Sequence, residues 1–294
     1  MTSTGSALAV PDWPLAFGKL IPPLSGGIRF EWGHRMVAGA VSILTLILAL
    51  WTWRSEPRRW VRVASFAAFG LIVLQAVLGG LTVLMLLPLP LAVAHAATAQ
   101  GFFCVMIAMV VFTAPSFGSG VEESDGLRPS LAALAAAATA AIYVQILIGA
   151  VMRHLGAGLA IPDFPTSYGR LIPPFYSFAV VINFAHRCGA LIVMLLVAWT
   201  SARVIRSYRT QRPLLNAAIL LLALLVLQIT LGALTIWSGR AVLPTTAHVA
   251  VGAAVLSTSL ALTIRAYELR GHIRPGRVAT PAFAVRATSR QVSA

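Results

Sequence analysis

The chain has 294 residues, 59% of them hydrophobic and only 10% charged, with a formal net charge of +14 and a mean hydropathy of +0.86. The apolar residues fall in long blocks and the arginines in the gaps between them, which marks a polytopic membrane protein and argues against a nucleic-acid-binding patch. The two cysteines, Cys104 and Cys188, lie inside apolar segments, so neither a disulfide framework nor a cysteine metal site is indicated.

The first 20 residues lack the n-region and h-region of a cleavable signal. A loop, "PDWPLAFGKLIPP" (11–23), leads into the first apolar run, 31–53. A spanning helix needs about 20 mostly apolar residues at ~1.5 Å rise each. Six further segments qualify, at 62–86, 91–113, 131–152, 177–201, 214–237 and 243–265. Between the third and fourth lies "APSFGSGVEESDGLRPS" (114–130), whose Gly, Ser, Pro and acidic residues read as a linker. The tail after Arg270 is weakly patterned and is expected to be solvent-exposed and disordered.

Orientation follows from the arginines. The connectors at 54–62 and 201–212 carry four each, and the C-terminal end carries six counting Arg265. The positive-inside rule puts these clusters in the cytoplasm and the opposite loops outside, as expected for a multi-pass protein of a bacterial cytoplasmic membrane.

The chain repeats itself. "PDWPLAFGKLIPP" matches "PDFPTSYGRLIPP" (162–174), "EWGHRMVAGAV" (31–41) matches "NFAHRCGALIV" (183–193), and "LQAVLGGLTVL" (74–84) matches "LQITLGALTIW" (227–237). The offset stays between 151 and 153 residues, which reads as a duplicated unit. The second unit has a helix before its PDFP loop, whereas the first has only a short N-terminus there, so a first helix is expected upstream of Met1. The expected fold is therefore an all-α membrane protein of two tandem four-helix bundles in parallel orientation, with seven spans in this chain. The units are 1–113 and 131–267, joined by the linker 114–130 and followed by a cytoplasmic tail, 268–294.

Four of the six histidines fall in the spans near their outer ends. The repeat pairs His34 with His186 and His95 with His248. Two imidazoles at one depth on neighbouring helices suit axial ligation of one haem iron per unit, since a neutral imidazole needs no buried countercharge. The alternative for a single intramembrane histidine is an interhelical hydrogen bond. His154 and His272 fall in an outer loop and the tail and read as solvated. Arg35 and Arg187 follow the paired histidines, where a cation can hold a haem propionate or reach lipid headgroups. Gln75, Gln145 and Gln228 each open a Q-x-x-x-G pattern, read as interhelical hydrogen bonders beside close-packing glycines. Glu31 breaks the symmetry: it stands where the second unit has Asn183, three residues before the histidine and so on its helix face. That difference suggests proton-coupled chemistry at the first site and cofactor binding at the second, with a boundary ion pair to Arg35 as the alternative.

With these residues in view, the sequence resembles the haem A synthase family of cytochrome oxidase assembly proteins. The resemblance rests on the PDWP loop, E-x-x-H-R opening a span, A-H in a later span, and the repeated set PDFP, A-H-R and T-A-H. It implies an eight-helix enzyme of two four-helix bundles that oxidises the C8 methyl of haem O to a formyl group by successive hydroxylations. It also implies a substrate haem site at His34, His95 and Glu31, and a haem b held by His186 and His248. A haem O synthase and an electron acceptor or quinone are the partners it suggests, beside the bilayer; self-association is left open. Many members carry a loop cysteine pair where this chain has Val10 and Ala16, so a mechanism through loop cysteines is excluded. The rivals are a bis-histidine cytochrome that only carries electrons, and a transporter built on parallel repeats.

Overall fold

The computed structural model describes residue 6 and residues 8–118 and 125–270. The middle of the expected linker, His272 and most of the tail lie outside the described residues. Seven helices follow in order: α1 (Ile28–Ser55), α2 (Arg59–Leu84), α3 (Leu89–Thr113), α4 (Leu131–His154), α5 (Phe178–Ser207), α6 (Arg212–Trp237) and α7 (Val242–Glu268). Among the described residues there is no strand, only two isolated bridges in loops. Each helix is long and apolar enough to cross a membrane, and the chain is an integral membrane protein.

All seven expected spans are present, and most run a few residues past the apolar core at one or both ends. α5 continues six residues beyond the predicted end because "ARVIRS" carries good helix formers that a hydropathy window discards. α4 likewise runs to His154, which is the last residue of the helix and not a loop residue. Its Nδ1 donates to the Ala150 carbonyl at 2.8 Å.

Successive helices pack as neighbours, except that α3 meets both α4 and α7, and α4 also meets α7. The largest buried cluster lies among α4, α5, α6 and α7, with Leu214, Leu221, Leu256 and Leu262 almost fully enclosed. α1 is thinly packed by comparison: it leans mainly on α2 and buries only Glu31, Thr45 and Ala49. Met36, Val37, Ile43, Leu44 and Ile47 on α1 are exposed apolar side chains. In a bilayer such a face meets acyl chains, so its exposure carries none of the penalty it would have in water.

The loops before α1 and α5 have the same local construction. Asp12 accepts hydrogen bonds from the Phe17 and Gly18 amides at 2.7 and 2.9 Å, and Asp163 from the Tyr168 and Gly169 amides at 2.7 and 2.9 Å. Gly18 and Gly169 adopt φ of +67° and +70°, which a residue without Cβ accepts without strain. At the other end of the bundle the linker is tied down. Arg203 of α5 pairs with Asp125 at 2.5 Å and donates to the Pro129 and Leu127 carbonyls, while Glu268 accepts from the Gly118 amide at 2.6 Å.

Candidate functional site

The four spanning histidines share one end of the bundle. His34, His95 and His248 are the seventh residues of α1, α3 and α7, and His186 is the ninth of α5, and these four helices run in one direction. His34 and His95 fall in the first half of the chain, and His186 and His248 in the second. Among the described residues no group of three or more His, Cys, Asp or Glu side chains is placed to hold a bare metal ion. Imidazole pairs instead suit an iron whose other positions are filled by a planar macrocycle.

The Q-x-x-x-G segments explain how three of the imidazoles are held. A Cβ at Gly79 would lie 3.0 Å from His95 Cε1, one at Gly149 3.0 Å from His186 Cε1, and one at Gly232 3.1 Å from His248 Cε1. Each glycine thus lets a ring from a neighbouring helix lie on the backbone. One turn earlier the glutamine fixes the ring's orientation. His95 Nδ1 is 3.1 Å from the Gln75 carbonyl, and His248 Nδ1 is 3.1 Å from the Gln228 carbonyl. These are backbone carbonyls, which only accept, so Nδ1 carries the proton in both, and the Nε2 lone pair, where a metal would bind, accepts from the glutamine side-chain amide. The glutamine amide nitrogens sit 3.2 and 3.3 Å from those two Nε2 atoms.

His186 is held differently. The Gln145 amide nitrogen lies 3.0 Å from its Nδ1 and donates at 2.7 Å to the His186 carbonyl, so Nδ1 accepts here. Metal ligation through Nε2 then requires the Gln145 amide to turn and present its oxygen to a protonated Nδ1. That oxygen is buried and has no partner, as are the side-chain oxygens of Gln75 and Gln228. Three imidazoles seated in this way, each with a ring nitrogen able to present a lone pair, fit axial ligands of a haem iron. His34 has neither a glutamine partner nor any other hydrogen bond to its ring among the described residues.

Glu31 and Asn183 are both buried, at 1% and 3% exposure, and both tie a helix to the loop before it. Glu31 accepts from the Val10 amide at 2.9 Å and from Arg35 at 2.8 Å. Asn183 donates to the Ala157 and Gly158 carbonyls at 2.9 and 3.3 Å and accepts from Arg187 Nε at 3.1 Å. The loop offers an N–H in one half and carbonyls in the other, and the carboxylate and the amide match them. Arg35 and Arg187, expected beside propionates, direct their guanidinium donors at the loops. Arg35 reaches the Val10, Asp12 and Leu15 carbonyls, and Arg187 those of Ile161, Asp163 and Thr166. Val10 and Ala16, the positions of the absent cysteine pair, are buried apolar contacts.

Trp13 is a site residue that sequence reasoning passed over. A Cβ at Gly80 would fall 2.5 Å from its ring, so the indole seats the loop on α2 beside Gly79 and His95. The signal is a paired one: the repeat gives Phe164 for Trp13 and Ala233 for Gly80, a smaller ring facing a larger residue.

The fold and site define an all-helical membrane protein with four histidines at one end of its spans, three of them in contact with a glutamine of a neighbouring helix. Its relatives narrow this further. A family profile described as "Cytochrome oxidase assembly protein" matches residues 28–260. Proteins named "Heme A synthase" are similar over most of their length. That of Symbiobacterium thermophilum is 34% identical over 76% of this chain and 74% of its own. That of Alkalihalophilus pseudofirmus is 32% identical over 79% and 78%, and that of Halalkalibacterium halodurans 30% identical over 84% and 83%. The chain belongs to the cytochrome oxidase assembly protein family, whose named relatives are enzymes.

Proposed function

We propose that this chain is a haem A synthase that oxidises the C8 methyl of haem O to the formyl group of haem A for cytochrome oxidase. The observation that supports the reading is the seating of His95, His186 and His248 on helix glycines at one end of the spans, in a chain of this family. His34 and His95 ligate the substrate haem, and His186 and His248 ligate a resident haem b. Bound haem supplies the redox chemistry. The chain's own residues do the rest. The backbone carbonyls of Gln75 and Gln228 hold the Nδ1–H tautomer of His95 and His248 while their side-chain amides give up Nε2 to the iron, and the Gln145 side chain turns its oxygen to His186 Nδ1–H. Arg35 and Arg187 contribute to cofactor binding by pinning the two loops over the sites and so limiting water. Glu31, one turn from His34, holds or accepts the proton exchanged at the oxidised carbon. The domain reading of two tandem units with a linker belongs to the same proposal, as does an outward-facing histidine end. A haem O synthase as supplier and a quinone or other electron acceptor are the proposed partners.

Co-expression with a haem O supply, followed by mass analysis of extracted haem, tests this. Hydroxylated or formyl haem is the expected product, and its absence from haem-loaded protein overturns the assignment. One observation favours the bis-histidine cytochrome instead: the matched polarity of Glu31 and Asn183 accounts for their difference without chemistry. Unmodified haem O in that experiment is the outcome it expects.

A further inference from the structure

We propose that Arg153 and Arg240 form the anion site for the propionate carboxylates of the haem held by His186 and His248. The proposal rests on the haem reading above and assigns residues that reading does not use. Gln145, Gly149 and Arg153 are spaced four apart and share one face of α4. The first two touch His186, and Arg153 stands one turn nearer the helix end. Arg240 lies in the turn after α6, the helix whose Gln228 and Gly232 hold His248. Its side chain crosses to the segment after α4, where a Cβ at Gly158 would be 3.5 Å from Arg240 Cδ. Gly158 follows Arg153 by five residues, so this contact brings Arg240 to the end of α4 that carries Arg153.

Neither side chain has a hydrogen bond or carboxylate partner among the described residues, and Arg153 Nε is buried without one. Two half-buried cations brought to the same end of the bundle without a counter-ion are unfavourable unless an anion joins them. A haem ligated between the two histidines brings two carboxylates on one edge, which match two planar guanidinium forks. Arg187 is not a competitor, because its donors are already taken by Asn183 and loop carbonyls. Arg240 has no arginine counterpart in the first half. Leu87 takes the place of Arg240, in a turn of the same left-handed conformation, φ +62° against +68°. Arg240 therefore distinguishes a site built to retain haem from one built to exchange it.

The test uses the full chain in a His95→Ala background, so that one complete imidazole pair remains, and follows haem transfer to excess apomyoglobin. Protein carrying Arg153→Gln and Arg240→Gln is compared with protein carrying native arginines, each loaded with haem b or its dimethyl ester. The single Arg240→Leu change, which copies the first half, is a milder second variant. Expected is a bis-histidine spectrum throughout, with haem b lost about tenfold faster from the double variant. Esterification should speed loss from native arginines and leave the double variant unaffected. Equal sensitivity to esterification in both proteins, or unchanged loss in both variants, overturns this proposal alone and assigns the arginines to lipid headgroups. No bis-histidine spectrum with native arginines overturns the haem reading as well.

Discussion

The ring of His186 lies against Gly149 so closely that a Cβ there would be 3.0 Å from Cε1. Gly149→Ala makes the imidazole give way by a few tenths of an ångström, away from α4 and its contact with the Gln145 amide. Overpacking of this kind costs about 1–3 kcal/mol, which is roughly a 5- to 100-fold loss of haem affinity. Gly101→Ala, where an added Cβ meets nothing within 4 Å, is the control and should bind haem normally. Soret absorbance per protein, titrated with haem, reads the difference.

The two histidine pairs should separate by mutation. His186→Ala is expected to remove the haem b signal, and Glu31→Ala to abolish haem oxidation while bound haem remains. Glu31→Ala also leaves the buried Val10 amide without an acceptor, at about 1–3 kcal/mol, so a lower melting temperature should accompany it. Haem content, product mass and melting temperature measured on the same preparations distinguish the outcomes. Loss of haem oxidation by His186→Ala with haem b retained would mean that the pairs have exchanged roles.

At the opposite end, Arg203 and Asp125 are 4% and 9% exposed and 2.5 Å apart. Arg203→Ala leaves a carboxylate and the carbonyls of Pro129 and Leu127 without their donor. Breaking such an enclosed pair destabilises by about 3–5 kcal/mol. Arg203→Lys should recover only part, since an ammonium cannot reproduce the planar fork. Thermal unfolding in detergent provides the measurement.

Acid should loosen the loop before α5. The Gly169 amide first, then the Thr166 hydroxyl and the Tyr168 amide, hold the Asp163 carboxyl below its ordinary value of 3.8. A depressed folded-state pKa stabilises above the unfolded value and ceases to do so as pH falls through the folded one. Protection of the Tyr168 and Gly169 amides against hydrogen exchange is therefore expected to be full above about pH 4 and to decline below it. Asp163→Asn should have reduced protection and no such dependence.

Hydropathy alone located all seven spans, because each helix must present an apolar surface about 30 Å long to lipid whatever its neighbours are. The repeat likewise paired the histidines and singled out the glutamines and their glycines. It did not reveal that each glycine is the seat of an imidazole, since Gln75 and His95 are on different helices and their contact depends on rotation about both axes. Glu31 shows the same limit. Its difference from Asn183 is plain in the sequence, but the Val10 amide and the Ala157 carbonyl that they answer become neighbours only when the loops fold back.

What the sequence by itself determined was therefore the number of spans, the positions of the four imidazoles and the arginine-rich end of the molecule. Only the tertiary structure decided that Arg35 and Arg187 secure loops while Arg153 and Arg240 stand without partners among the described residues. The reason is physical: hydropathy and periodicity record how a segment meets its solvent, whereas a guanidinium's role is set by which acceptors the packed chain brings within about 3 Å of it.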